Sequence, residues 1–101
     1  MGTRIELQSL LEELLGSKNV YYQPPESLKI NYPAIIYSKG KIDKTNANDK
    51  GYRITTRYDL TVIDRRPDNP VIQKLLELPY CSYDRHYPSD NLNHDSLTLY
   101  F

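Results

Sequence analysis

An α+β fold, with a mostly antiparallel sheet covered on one face by two helices in two layers, follows from three features of this 101-residue sequence. A stripe of leucines opens the chain, with Leu7, Leu10, Leu11, Leu14 and Leu15 at helical spacing behind a Thr3-x-x-Glu6 cap signal. A long alternating stretch, Tyr52 to Ile63, reads as a strand. Two further alternating segments flank the turn cluster Pro88 to Asn91 near the end, and a hairpin joins them.

Thr3 can accept the backbone N–H of Glu6 while the Glu6 carboxylate reaches back, and Gly16 is a natural left-handed stop. Asn19 to Tyr22 is a short strand, broken by Pro24-Pro25, which remove two donors. Leu28, Ile30 and Tyr32 alternate weakly, and Ala34 to Ser38 is an apolar strand with Pro33 at its entry. Lys39 to Gly51 holds only Ile42 and Ala47 as apolar residues and reads as a long turn. In the strand that follows, Tyr52, Ile54, Thr56, Tyr58, Leu60 and Val62 share one face; at ~3.3 Å per residue its twelve residues span roughly 40 Å. That length approaches the width of a domain this size, so the Lys39 to Gly51 turn is expected to be carried outward on a projecting β-hairpin. Asn69 caps and Pro70 opens a second helix, with Val71, Ile72, Leu75 and Leu76 facing the core and Pro79 ending it. The last strand alternates Leu97, Leu99 and Phe101 with polar residues up to the terminus, which predicts one complete domain, residues 1–101.

Composition narrows the function classes. Thirteen basic residues balance thirteen acidic ones, which argues against a dedicated nucleic-acid binder. Cys81 is the single cysteine, cannot form an internal disulfide, and sits in a strand pattern as a small core residue. Apolar runs are only a few residues long, so neither a signal peptide nor a membrane span is expected. Ten tyrosines, one phenylalanine and no tryptophan suit either a thin core with many boundary positions or contact surfaces.

No residue set carries chemistry strongly. If the last turn centres on Asp90, His86 and His94 face each other beside Asp84 and Asp95; these are metal-ligand types, but the spacing matches no standard motif. The alternative is a polar turn whose Asp and Asn side chains bond the local backbone. The four glycines are scattered, and no nucleophile, base and oxyanion donors come together, so no enzyme activity, catalytic residue or cofactor is expected. The stretch Lys39 to Arg57 holds six basic residues against two acidic ones. Lys39, Lys41, Lys44, Lys50, Tyr52, Arg53 and Arg57 are therefore the candidate interface residues. Such an arm could meet an acidic protein surface, touch DNA phosphates, or serve only to keep a loop solvated and a sheet edge protected.

The chain also carries a resemblance. The segments running from Asn19 to Pro70 and from Leu76 to Phe101 contain, in order, Pro24-Pro25 after a short strand, Tyr32-Pro33 before a strand, Asp64-Arg65 before a helix, and the turn Asp90 to Asp95. As a set they resemble the siphophage tail completion or tail terminator family, the neck proteins of long-tailed phages, over nearly the whole chain. The resemblance implies a structural virion protein at the head–tail junction, assembled in the host bacterial cytoplasm. It implies a homo-oligomeric ring, usually a hexamer, that terminates the tail tube and joins it to the head connector. The partners implied are the major tail protein and head-completion or connector proteins, with DNA passing through the lumen and no membrane involved. A small soluble adaptor or binding module of a cellular protein is the alternative, and a metal-binding or hydrolytic domain built on the last hairpin a third.

Overall fold

A computed structural model describes residues 3–46 and 52–101, with the side chains of residue 41, residues 43–46 and residues 52–55 left aside. Helix α1 spans Arg4–Leu15, strand β1 Val20–Tyr22, β2 Ala34–Asn46, β3 Tyr52–Asp64, helix α2 Val71–Leu76, β4 Cys81–Ser89 and β5 Leu92–Tyr100. The strands form one sheet in the order β1-β2-β3-β5-β4. Only β1 runs parallel to its neighbour. Both helices pack on one face, so the α+β expectation holds.

The helix-facing side of the sheet is built from every second residue, as strand geometry requires. Ile35 lies opposite Val62, Tyr37 opposite Leu60 and Leu60 opposite Leu97, and Tyr58 opposite Leu99. These rows meet Leu7 and Leu11 of α1 and Val71 and Leu75 of α2 in a single core. The α1 cap is as expected: Thr3 Oγ1 accepts the Glu6 N–H at 3.2 Å, the Glu6 carboxylate accepts the Thr3 N–H at 3.3 Å, and Gly16 takes a φ of 81°. Three tyrosines belong to this core rather than to a contact surface. Tyr37 packs between Tyr22, tilted against it, and Tyr58, edge-on to it, the Arg4 guanidinium lies over Tyr22, and the Tyr37 hydroxyl donates to Gln8 Oε1 at 2.6 Å.

α2 starts from a buried polar chain. Asp64 Oδ1 accepts the Arg66 N–H at 3.1 Å and its Oδ2 accepts from Asn69 Nδ2 at 2.8 Å. Asn69 Oδ1 then accepts the Val71 N–H at 2.9 Å, the capping role its position predicts. Val71 and Leu75 are buried and Ile72 half-buried, but Leu76, expected in the core, is exposed: a helix this short turns only part of its surface inward.

Two expectations need correction. Lys39 to Asn46 is strand, not turn: β2 stays paired with β3 as far as Asn46 opposite Tyr52. Residues 47–51, which join the two strands, lie outside the described residues. β1 stops opposite Tyr37, and β5 ends at Tyr100 opposite Arg57, so past these points β2 and β3 continue beyond their other partners. Alternation marks a buried face rather than strand pairing, so a strand can pair without it. The second correction concerns the last hairpin. Asp90 and Asn91 both have positive φ, 53° and 62°, which makes a two-residue turn. Pairing is therefore His86 with Asp95 and Tyr87 with His94. The histidines do not face each other; they project from opposite faces of the sheet, as Asp95 and His94 are neighbours along one strand.

Candidate functional site

The interface residues expected on the arm divide into two groups. Lys39 and Arg57 have described side chains. Lys39 is exposed, and its backbone N–H donates to Gln23 Oε1 at 3.2 Å. Arg57 Nε lies 3.5 Å from Asp59 Oδ1, a partly exposed ion pair of little energetic weight. Between Lys39 and Lys41 the register slips by one residue, so Gly40 is a bulge. A Cβ at Gly40 would come within 2.8 Å of both Arg57 Nε and Asp59 Oδ2, so glycine lets this ion pair lie close over the backbone. The backbones of Lys41, Lys44, Tyr52 and Arg53 belong to the ribbon, where Lys41 faces Arg57 and Tyr52 faces Asn46, but their side chains are outside the described set. Lys50 lies wholly outside the described residues.

The last hairpin gathers a second polar group that residue spacing did not reveal. Asp95 is buried on the helix side of the sheet, and its Oδ1 accepts from the Tyr83 hydroxyl at 2.6 Å and from His86 Nδ1 at 2.9 Å. Register brings them together: a bulge between Tyr83 and Arg85 shifts β4 by one residue, so Tyr83 and His86 flank the same carboxylate. Reading Asp90-Asn91 as a two-residue turn would have found the His86 to Asp95 pair. His94, on the other face, stacks on Tyr87 at 4.9 Å, and the Arg85 guanidinium lies over the same tyrosine ring at 4.7 Å. Cys81 is half-buried and packs against the core; burial, then the Asp84 carboxylate, pushes its thiol up, which disfavours the nucleophilic thiolate. Among the described residues no three His, Cys, Asp or Glu side chains come together as a metal cluster, and no helix is long and apolar enough to cross a membrane.

The Tyr83 bond has a measurable consequence. Its hydrogen bond to Asp95, then burial and the carboxylate charge, push the Tyr83 hydroxyl from 10.0 up to about 12. A pKa raised on folding means that the protonated form is the one the fold favours. The stability it contributes is full below the ordinary tyrosine pKa and is lost as pH climbs toward about 12. In an ultraviolet titration of tyrosinate, Tyr83→Phe is expected to remove an ionisation step from the high-pH end of the curve. Loss of a step near the ordinary tyrosine pKa instead would contradict the bond.

Two other features lie at the opposite edges of the sheet. The 23–33 segment returns across the face away from the helices, where Tyr21 Oη accepts the Asn31 N–H at 3.4 Å. Between it and β2 opens a cleft of about 630 Å³, with Pro24, Pro25, Leu28 and Ile30 on the loop side and Ile36 and Ser38 on the strand side. At the β4 edge, Tyr80 has a φ of 63°, a left-handed conformation uncommon for a bulky residue. Its carbonyl accepts the Tyr100 N–H at 3.1 Å while its side chain stands 79% exposed. The exposed Leu76 and Tyr83 lie in the adjoining α2 and β4. No protein-family model matches the chain, and no curated protein matches it.

Proposed function

We propose that this chain is a structural protein of a long-tailed phage virion, one subunit of a ring that terminates the tail tube and joins it to the head connector, with DNA passing through the lumen. The observation that carries the reading, beside the motif resemblance, is the way β2 and β3 outrun the rest of the sheet. Their paired backbones continue past β1 and β5 as a ribbon rich in Lys and Arg, an element that adds nothing to the described core. Such an arm suits contact with neighbouring subunits or the tail tube. The sheet also ends in two dissimilar edges, β1 and β4, which is what a head-to-tail ring contact requires.

The test is assembly. Purified protein is expected to form closed rings in sedimentation and negative-stain microscopy, alone or on added tail tubes. A monomer that neither self-associates nor attaches to tubes would overturn the proposal in favour of an adaptor module. Replacing Lys41, Lys44 and Lys50 together by Ser is expected to leave the melting curve nearly unchanged and to slow assembly, with a weaker salt dependence of the association rate. Normal assembly kinetics at low salt in that variant would mean that the lysines only solvate the arm.

A further inference from the structure

We propose that Tyr80 of one copy of this chain seats in the cleft between the 23–33 segment and β2 of the next copy, so that the two sheet edges dock head to tail. The inference rests on the ring reading and names the surfaces that would form it.

Three observations point the same way. First, Tyr80 holds a positive φ, uncommon for a bulky residue, at the edge of the sheet. A glycine takes a positive φ without a steric penalty, and the hydrogen bond Tyr80 makes to Tyr100 uses only its backbone. What tyrosine adds at this place is a ring, and the ring is in solvent. An exposed aromatic ring held out by a left-handed backbone is suited to a contact outside the molecule. Tyrosine is also the residue type enriched as an interface anchor.

Second, the cleft is an apolar recess with no occupant from its own chain among the described residues. Its loop wall is built from prolines and aliphatic side chains, and Leu28 remains 43% exposed. Its rim carries Glu26 and Lys39, both exposed, and the β4 edge carries the exposed pair Asp84 and Arg85. Each surface thus offers one acid and one base to the other.

Third, the two features lie level across the sheet. Lys39 pairs with Tyr58, Tyr58 with Leu99, and Leu99 with Cys81, next to Tyr80. One row of the sheet therefore runs from the cleft rim to the knob. Moving a second copy along that row brings its Tyr80 edge to the cleft of the first. The two patches differ and sit at opposite edges, so the contact is heterologous and propagates to a ring or filament rather than stopping at a two-fold dimer.

Cross-linking tests the contact. In a Cys81→Ala background, Tyr80→Cys and Leu28→Cys are made in separate chains and oxidised alone and mixed. The cleft wall on β2 and the Tyr80 edge at β4 are three strand spacings apart, roughly 14 Å, far beyond disulfide reach within one chain. The mixture is expected to give a species of doubled mass that neither protein gives alone. A single chain carrying both cysteines is expected to give a ladder of higher multiples. Ile30→Cys replaces Leu28→Cys if the latter fails to match the parent's circular dichroism. Self-linked Tyr80→Cys dimers would mean a two-fold contact and overturn the proposal. So would the absence of mixed species. Sedimentation of the unmodified protein separates the two readings. Rings without the cross-link leave the ring and remove this contact, whereas a monomer at all concentrations without the cross-link removes both.

Discussion

Leu11→Ala is expected to lower the unfolding free energy by about 2–5 kcal/mol, the range for truncating a fully buried leucine. Leu11 has no exposed surface and sits with Leu7 in the core shared by both helices and four of the five strands. The cavity would open where α1 meets the sheet, and the rigid rows of Tyr37, Leu60 and Leu97 beneath cannot collapse into it without shifting several strands together. Ile5, on the same helix but 70% exposed, is the control: Ile5→Ala is expected to change stability by no more than about 0.5 kcal/mol. Urea unfolding of both variants is the measurement. Equal losses would mean that the leucine stripe does not face the core.

Asp64→Ala is expected to cost roughly 2–3 kcal/mol, because it removes a buried carboxylate that accepts two hydrogen bonds and leaves a buried donor behind. Asp64 and Asn69 are both buried, and Asn69 is itself the cap on Val71. Losing the carboxylate therefore frees the side chain that starts α2. The Arg66 guanidinium, 3.8 Å away and largely exposed, contributes little to this loss. Asp64→Asn keeps the shape and one acceptor, so it is expected to fall between alanine and the parent. A denaturation midpoint for Asp64→Ala within error of the parent would show that the turn is held by its backbone alone.

Much of the fold was legible because its signals are local. The α1 cap, stripe and glycine stop all fall within Thr3 to Gly16; the structure reproduces the cap and the stop, and of the stripe it buries Leu7 and Leu11 with Leu14 and Leu15 packed against the core, leaving Leu10 outside it. The inner face of β3 was legible from alternation, because Tyr58, Leu60 and Val62 are buried every second residue. The outer half of β2 was not: its pairing with β3 runs past the ends of β1 and β5, and alternation is a sign of burial rather than of strand pairing. The His86 to Asp95 pair was missed by one residue of register, which two left-handed residues in the turn decide. The candidate arm was legible as charge, but the cleft and the Tyr80 knob were not. One needs the return of a loop across the sheet and the other a backbone dihedral, and Pro24-Pro25 signals only where the strand breaks.

The strand order also sorts the pairings by sequence distance. β2 with β3 and β4 with β5 are joined by near neighbours in sequence, whereas β3 with β5 pairs residues as remote as Arg57 and Tyr100. Closing a hairpin restricts little chain, and closing the β3 to β5 seam restricts nearly half of it. Among the antiparallel strand pairings, the longest loop closure therefore falls at one seam. The Leu60 to Leu97 and Tyr58 to Leu99 contacts that lie across it are the ones whose formation commits the two halves of the molecule to each other.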